Sequence, residues 1–132
     1  MNAIRVWSVI ILAVLTAIPS EAQQNKPKLV TLKDDDRVKS GKMLIFEETA
    51  RSGGSRFIVK DLSVTQPVVI ELIAPSPDKL LTLKIYKTDD WTDPAQTHST
   101  KSTGRASAKF RTESHFGFEI EPPNNTDTPF QI

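Results

Sequence analysis

From Leu29 onward, short apolar runs return every eight to fifteen residues, each closed by a cluster of Gly, Pro, Asn, Asp or Ser, and this recurrence restricts the chain more than any other feature. Such runs are too short for amphipathic helices and have the length of β-strands joined by tight turns. No segment after residue 22 offers a helical stripe of apolar residues at three- and four-residue spacing. The expected architecture is all-β, a small antiparallel β-sandwich of about seven or eight short strands.

Alternation places the strands. Leu29 to Leu32 is short and weak, and Met43 to Glu48 lies between Ser40-Gly41 and the flexible Arg51-Ser52-Gly53-Gly54-Ser55. Arg56 to Lys60 follows. Val68 to Ile73 starts behind Pro67 and puts Val68, Ile70 and Leu72 on one face, the pattern of a central strand, before Pro75 and Pro77 end it. Leu81, Leu83 and Ile85 then share a face, with Thr82, Lys84 and Tyr86 opposite.

The sharpest expectation concerns Arg105 to Arg111 and His115 to Glu121. Ala106, Ala108 and Phe110 alternate inward on the first, and Phe116, Phe118 and Ile120 on the second. A hairpin around Thr112-Glu113-Ser114 sets Phe110 against Phe116, Ala108 against Phe118, Ala106 against Ile120 and Arg105 against Glu121. Pro129 to Ile132 then reads as the opening of a last strand that stops early, either an edge stub with unpaired backbone or a chain shorter than the fold would prefer.

Residues 1–22 have the form of a secretory signal. Arg5 supplies the positive charge, Val6 to Ile18 the apolar stretch, Pro19 a stop, and Ser20-Glu21-Ala22 the small residues a signal peptidase reads. That stretch is shorter than the ~20 residues needed to cross a bilayer, so cleavage before Gln23 is expected, with no transmembrane segment left afterwards. Residues 23–28 then form a flexible tether, and residues 29–132 a single domain bound for the periplasm or the secreted fraction.

Charge and cysteine content exclude several classes. With 17 Lys+Arg against 16 Asp+Glu the net charge is +1, which gives no field for nucleic acid. The absence of cysteine removes a disulfide scaffold, a lipoprotein anchor and a thiol nucleophile.

Phe57-Ile58-Val59 with Leu62, Pro67-Val68-Val69-Ile70 with Leu72, Leu81-Thr82-Leu83 with Ile85-Tyr86, and Phe110 with Phe116 to Ile120 together resemble a bacterial pre-peptidase C-terminal domain. The resemblance spans roughly Leu32 to Ile132 and implies a small exported β-sandwich, of a kind appended to secreted peptidases and other extracellular enzymes, with no catalytic residues of its own.

The residues themselves point the same way. His98 and His115 are the sole imidazoles, no Gly-x-Ser-x-Gly elbow occurs, and zinc-hydrolase His spacing is missing, so no enzyme is expected. Asp34-Asp35-Asp36 before Arg37 reads as a solvated turn, with chelation of a hard cation as the alternative. Asp89, Asp90, Trp91 and Asp93 form a loop with two readings: a Ca²⁺ or sugar site, since oxygen ligands suit a hard cation and an aromatic face suits a sugar, or a turn whose Trp folds back over the sandwich. Arg105, Lys109 and Arg111 form a basic outer face that suits an anionic glycan or lipid headgroups, or simply pairs with Glu119 and Glu121. No cofactor is required, and Ca²⁺ is the one candidate ion.

The expected function is therefore an exported, non-enzymatic binding module for a protein or glycan of the cell envelope. Two alternatives stand beside it. One is a small metal-dependent or hydrolytic secreted enzyme, and the other a structural envelope element pairing through an open edge near Pro129 to Ile132.

Overall fold

The computed structural model describes residues 26–132 apart from 38–40, 64, 65, 89 and 113, so the expected signal, the first half of the expected tether (residues 23–25), Asp89 and Glu113 lie outside the described residues. Eleven strands are present among the described residues: β1 Lys28–Val30, β2 Lys33–Asp34, β3 Lys42–Met43, β4 Glu47–Ala50, β5 Ser55–Val59, β6 Pro67–Ile73, β7 Thr82–Tyr86, β8 Gln96–Ser99, β9 Arg105–Arg111, β10 Phe116–Glu121 and β11 Thr128–Gln131. The sole helical element among them is a 3-10 turn at Pro123–Asn125.

Two sheets face each other, in the orders β1-β5-β10-β7-β8 and β4-β11-β6-β9, with β2 and β3 as a separate ribbon. The core between them follows the alternation of the sequence. Phe57 and Val59 of β5, Leu83 and Ile85 of β7, and Phe116, Phe118 and Ile120 of β10 meet Ile70 and Leu72 of β6, Ala106 and Ala108 of β9, and Phe130 of β11. Burying these inward residues is what drives the two sheets together.

The expected β9–β10 hairpin does not exist. β9 pairs antiparallel with β6, where Ala106 lies opposite Leu72, Ala108 opposite Ile70 and Arg105 opposite Ile73. β10 belongs to the other sheet, between β5 and β7, and Glu121 lies opposite Thr82. The link between them crosses from sheet to sheet, held by Leu62 N–H donating to the Ser114 carbonyl (3.0 Å) and Thr112 Oγ1 donating to the His115 carbonyl (3.1 Å). Phe110 does meet Phe116, edge to face with centroids 4.8 Å apart, but across the sandwich. Small-against-large complementarity is the same demand whether two strands pair side by side or face each other across a core about 10 Å thick, so alternation could not separate the cases.

The last strand also differs from expectation. β11 is no edge stub, because it lies between β4 and β6. It pairs with β4 over Thr128 to Gln131, and Phe46 and Ile132 extend that ladder by exchanging two backbone bonds of 3.1 and 3.0 Å. With β6 it pairs only where Gln131 meets Ile73. Before Ile73 the β11-facing side of β6 has no described strand partner, and the edges of this sheet are β4 and β9, so pairing through an exposed Pro129 to Ile132 edge has no basis in this arrangement.

Candidate binding surfaces

Three surfaces gather the chemistry. The first is the loop between β7 and β8, where Asp90 Oδ1 accepts the Thr92 N–H (3.3 Å) and so closes a short turn. That backbone bond, with help from Thr88, holds the Asp90 carboxyl below its ordinary range. The turn carries Trp91 in the left-handed region (φ 58°), folded back over the outer face of the five-stranded sheet.

Trp91 is surrounded there. Its ring stands edge-on to Tyr86 with centroids 5.1 Å apart, and the Arg56 guanidinium lies 5.0 Å from its centroid. Beneath it is Gly117, where a Cβ would come within 2.8 Å of the indole. Arg56 Nε also donates to Glu119 Oε2 at 2.7 Å, directly across the β5–β10 register, so Glu119 is buried although its strand position faces outward. Burial raises the Tyr86 phenol above its ordinary value, with the nearby Glu119 charge adding to the shift. Asp90 and Asp93 are exposed, and no group of three or more His, Cys, Asp or Glu among the described residues is arranged to hold a metal ion.

The second surface is the outer face of β9. Arg105, Lys109 and Arg111 are exposed, as the alternation required, and lie opposite Ile73, Val69 and Pro67 of β6. The acids expected to pair with them are elsewhere, since Glu119 is held by Arg56 and Glu121 by Lys84 Nζ at 2.5 Å, on the opposite face of the sandwich. Among the described residues, Glu71, opposite Ser107, is an acid neighbouring the basic row. The Trp91 loop and the basic strand therefore lie on different sheets. Of the two imidazoles, His98 Nε2 meets Gln96 Oε1 (2.8 Å) on β8, while His115 Nδ1 meets Ser114 Oγ (3.2 Å) before β10.

The third surface was not singled out in the sequence. Below Gln131, β6 and the segment 42–46 draw apart and leave a cleft of about 510 Å³. Its walls are Val68, Val69 and Ile70 on one side and Leu44, Ile45 and Phe46 on the other; Leu62, Phe116 and Phe118 line its inner side, and Ile132 also borders it. Val69 and Ile45 remain 57% and 48% exposed on the two walls. Two signals in the sequence bear on it, the apolar Val69 on the solvent face of β6 and Pro67 at its start. The opposing wall comes from a segment more than twenty residues earlier, which only the fold brings close.

No protein-family profile matches the chain and no curated protein matches its sequence. Among solved structures, the pre-peptidase C-terminal domain of a collagenase from Bacillus anthracis has a similar fold, with a TM-score of 0.60 at 9% sequence identity over 81% of this chain and 92% of that one. The chain thus has the β-sandwich fold of that domain, as the strand pattern implied.

Proposed function

We propose that this chain is an exported, non-catalytic binding module whose ligand belongs to the cell envelope or the secreted fraction. The observation that carries the reading is the cleft beside β6, because a sandwich that covers its core elsewhere leaves the apolar walls at Val69 and Ile45 exposed here above a buried apolar floor. The signal-like residues 1–22 support export, and the fold shared with a domain appended to a collagenase supports an accessory role. The two imidazoles sit on separate elements, each turned to a neighbouring side chain, which favours binding over hydrolysis.

Affinity capture from envelope and culture-supernatant extracts tests this. Residues 23–132 are compared with Trp91→Ala, with Arg105, Lys109 and Arg111 neutralised together, and with Ile45→Asp plus Val69→Asp. A partner retained by the first two variants and lost by the third is the expected result. Loss in the basic-face variant instead moves the contact to β9. Capture by no form, with far-ultraviolet circular dichroism showing each to be folded, overturns the reading.

A further inference from the structure

The cleft presents backbone groups as well as apolar side chains. Along β6, Thr112 N–H donates to the Gln66 carbonyl (3.4 Å) and Ala74 N–H to the Gly104 carbonyl (2.9 Å), which assigns the even-numbered residues between them to the β9 ladder. The N–H and C=O groups of Val69, Glu71 and Ile73 then point the other way. Ile73 meets Gln131, and no described strand pairs with Val69 or Glu71 on that side. Pro67, next in the same series, has no N–H to offer, as befits a strand edge. On the opposite wall, the Phe46–Ile132 exchange sets the alternation so that Leu44 is the next residue turned toward the cleft.

At its upper end the gap between the walls is the width of one strand, because β11 fills it there, bonded to β4 on one side and to β6 on the other. We propose that the cleft accepts a single extended strand from a partner polypeptide, running in line with β11 and antiparallel to β6. The proposal rests on the binding-module reading and specifies its ligand. Side chains opposite Ile70 and Val68 point inward toward Leu62, Phe116 and Phe118 and must be apolar. Outward positions lie beside Glu71, which favours a cation, and beside Val69 and Ile45, which favour a β-branched residue. The two-sided wall also decides the kind of partner. A sheet edge of a second folded copy has its own neighbouring strand, which residues 44–46 would obstruct, whereas an isolated extended segment enters freely.

The probe is the peptide acetyl-Gly-Lys-Val-Thr-Val-Thr-Lys-Lys-amide, labelled for fluorescence polarisation, added to the purified protein. Saturable binding is expected, with hydrogen exchange at the Val69 and Glu71 amides slowed about tenfold or more and Ile70 and Leu72 little changed. N-methylation of the Thr between the two Val residues removes the donor aimed at Val69 and leaves every side chain in place, so affinity falls by roughly tenfold. Val69→Pro, which deletes a cleft-facing donor outside the β9 ladder, weakens binding similarly, and Trp91→Ala does not. Equal affinity for the methylated peptide, or unchanged exchange at Val69 and Glu71, overturns strand insertion. If that happens while Ile45→Asp plus Val69→Asp still abolishes capture of a partner, the binding-module reading survives and its ligand is something other than a strand.

Discussion

Gly117 and Trp91 depend on each other. A methyl group at Gly117 would meet the indole at 2.8 Å, closer than packed carbon atoms approach, and Trp91 sits in a left-handed conformation that an unsupported Trp would leave. Gly117→Ala is therefore expected to cost about 1–3 kcal/mol and to expose the indole, read as a lower melting temperature and a red-shifted emission. In a Trp91→Ala background the same change becomes nearly neutral, and equal costs in both backgrounds would show that the contact is not responsible. Lys84 and Tyr86, on the same sheet face, set a pH limit. The Lys84 ammonium is held protonated by Glu121 and the Tyr86 phenol by burial, so both pKa values rise above their ordinary 10.5 and 10.0. The unfolded chain then releases these protons at lower pH than the folded one. Their contribution is complete below about pH 10 and is lost as pH rises through the folded values, so the melting temperature should fall on the alkaline side. Glu121→Gln removes the hydrogen-bonded charge from Lys84 and should make that fall shallower, and an identical alkaline limb in the variant would refute the assignment.

The crossing between β9 and β10 makes a prediction that the hairpin arrangement denies. Val69 and Lys109 are a non-hydrogen-bonded pair in the β6–β9 ladder, a geometry with Cα atoms about 4.5 Å apart that accepts a disulfide. Val69→Cys with Lys109→Cys should oxidise readily to an intramolecular bridge. Arg105→Cys with Glu121→Cys, partners only in the hairpin, should stay reduced, and the reverse outcome would restore that hairpin. Alternation in the sequence located β5, β6, β7, β9 and β10 because each turns an apolar face to the core, although on β10 the outward Gly117 and Glu119 are covered as well. β8 carries no such signal: Gln96-Thr97-His98-Ser99 has no apolar residue, being an edge strand that pairs with β7 alone. The run Met43 to Glu48 was legible as extended chain, but its division into β3 and β4 was not, since one part pairs with β2 and the other with β11. The candidate surfaces divide similarly. The Trp91 loop was visible as a turn, while Arg56 and Gly117, which hold its ring, come from strands on either side of it in the sequence and meet it only through sheet order.

Phe57 touches aromatic rings from both sheets. Its ring stacks on Phe118 of the same sheet with centroids 4.9 Å apart, and meets Phe46 at 5.6 Å and Phe130 at 6.1 Å from the facing side. One fully buried side chain therefore links β5 and β10 to the β4–β11 pair, at the end of the sandwich where β11 enters between β4 and β6. Truncation to Ala removes those contacts at once, and the neighbouring rings, fixed in two sheets, cannot all move to fill the space. Phe57→Ala should cost about 3–5 kcal/mol, a large share of the roughly 5–15 kcal/mol that holds a domain of this size folded. If the sandwich is a single unit, far- and near-ultraviolet circular dichroism must lose signal at the same, lower temperature. Phe57→Leu, which keeps most of the apolar volume, should recover much of the loss. Were the β4–β11 pair to melt earlier than the five-stranded sheet in Phe57→Ala, seen as exchange at Phe46 and Ile132 ahead of Ile58 and Phe118, the two sheets would be separate units and the cleft would mark the boundary between them.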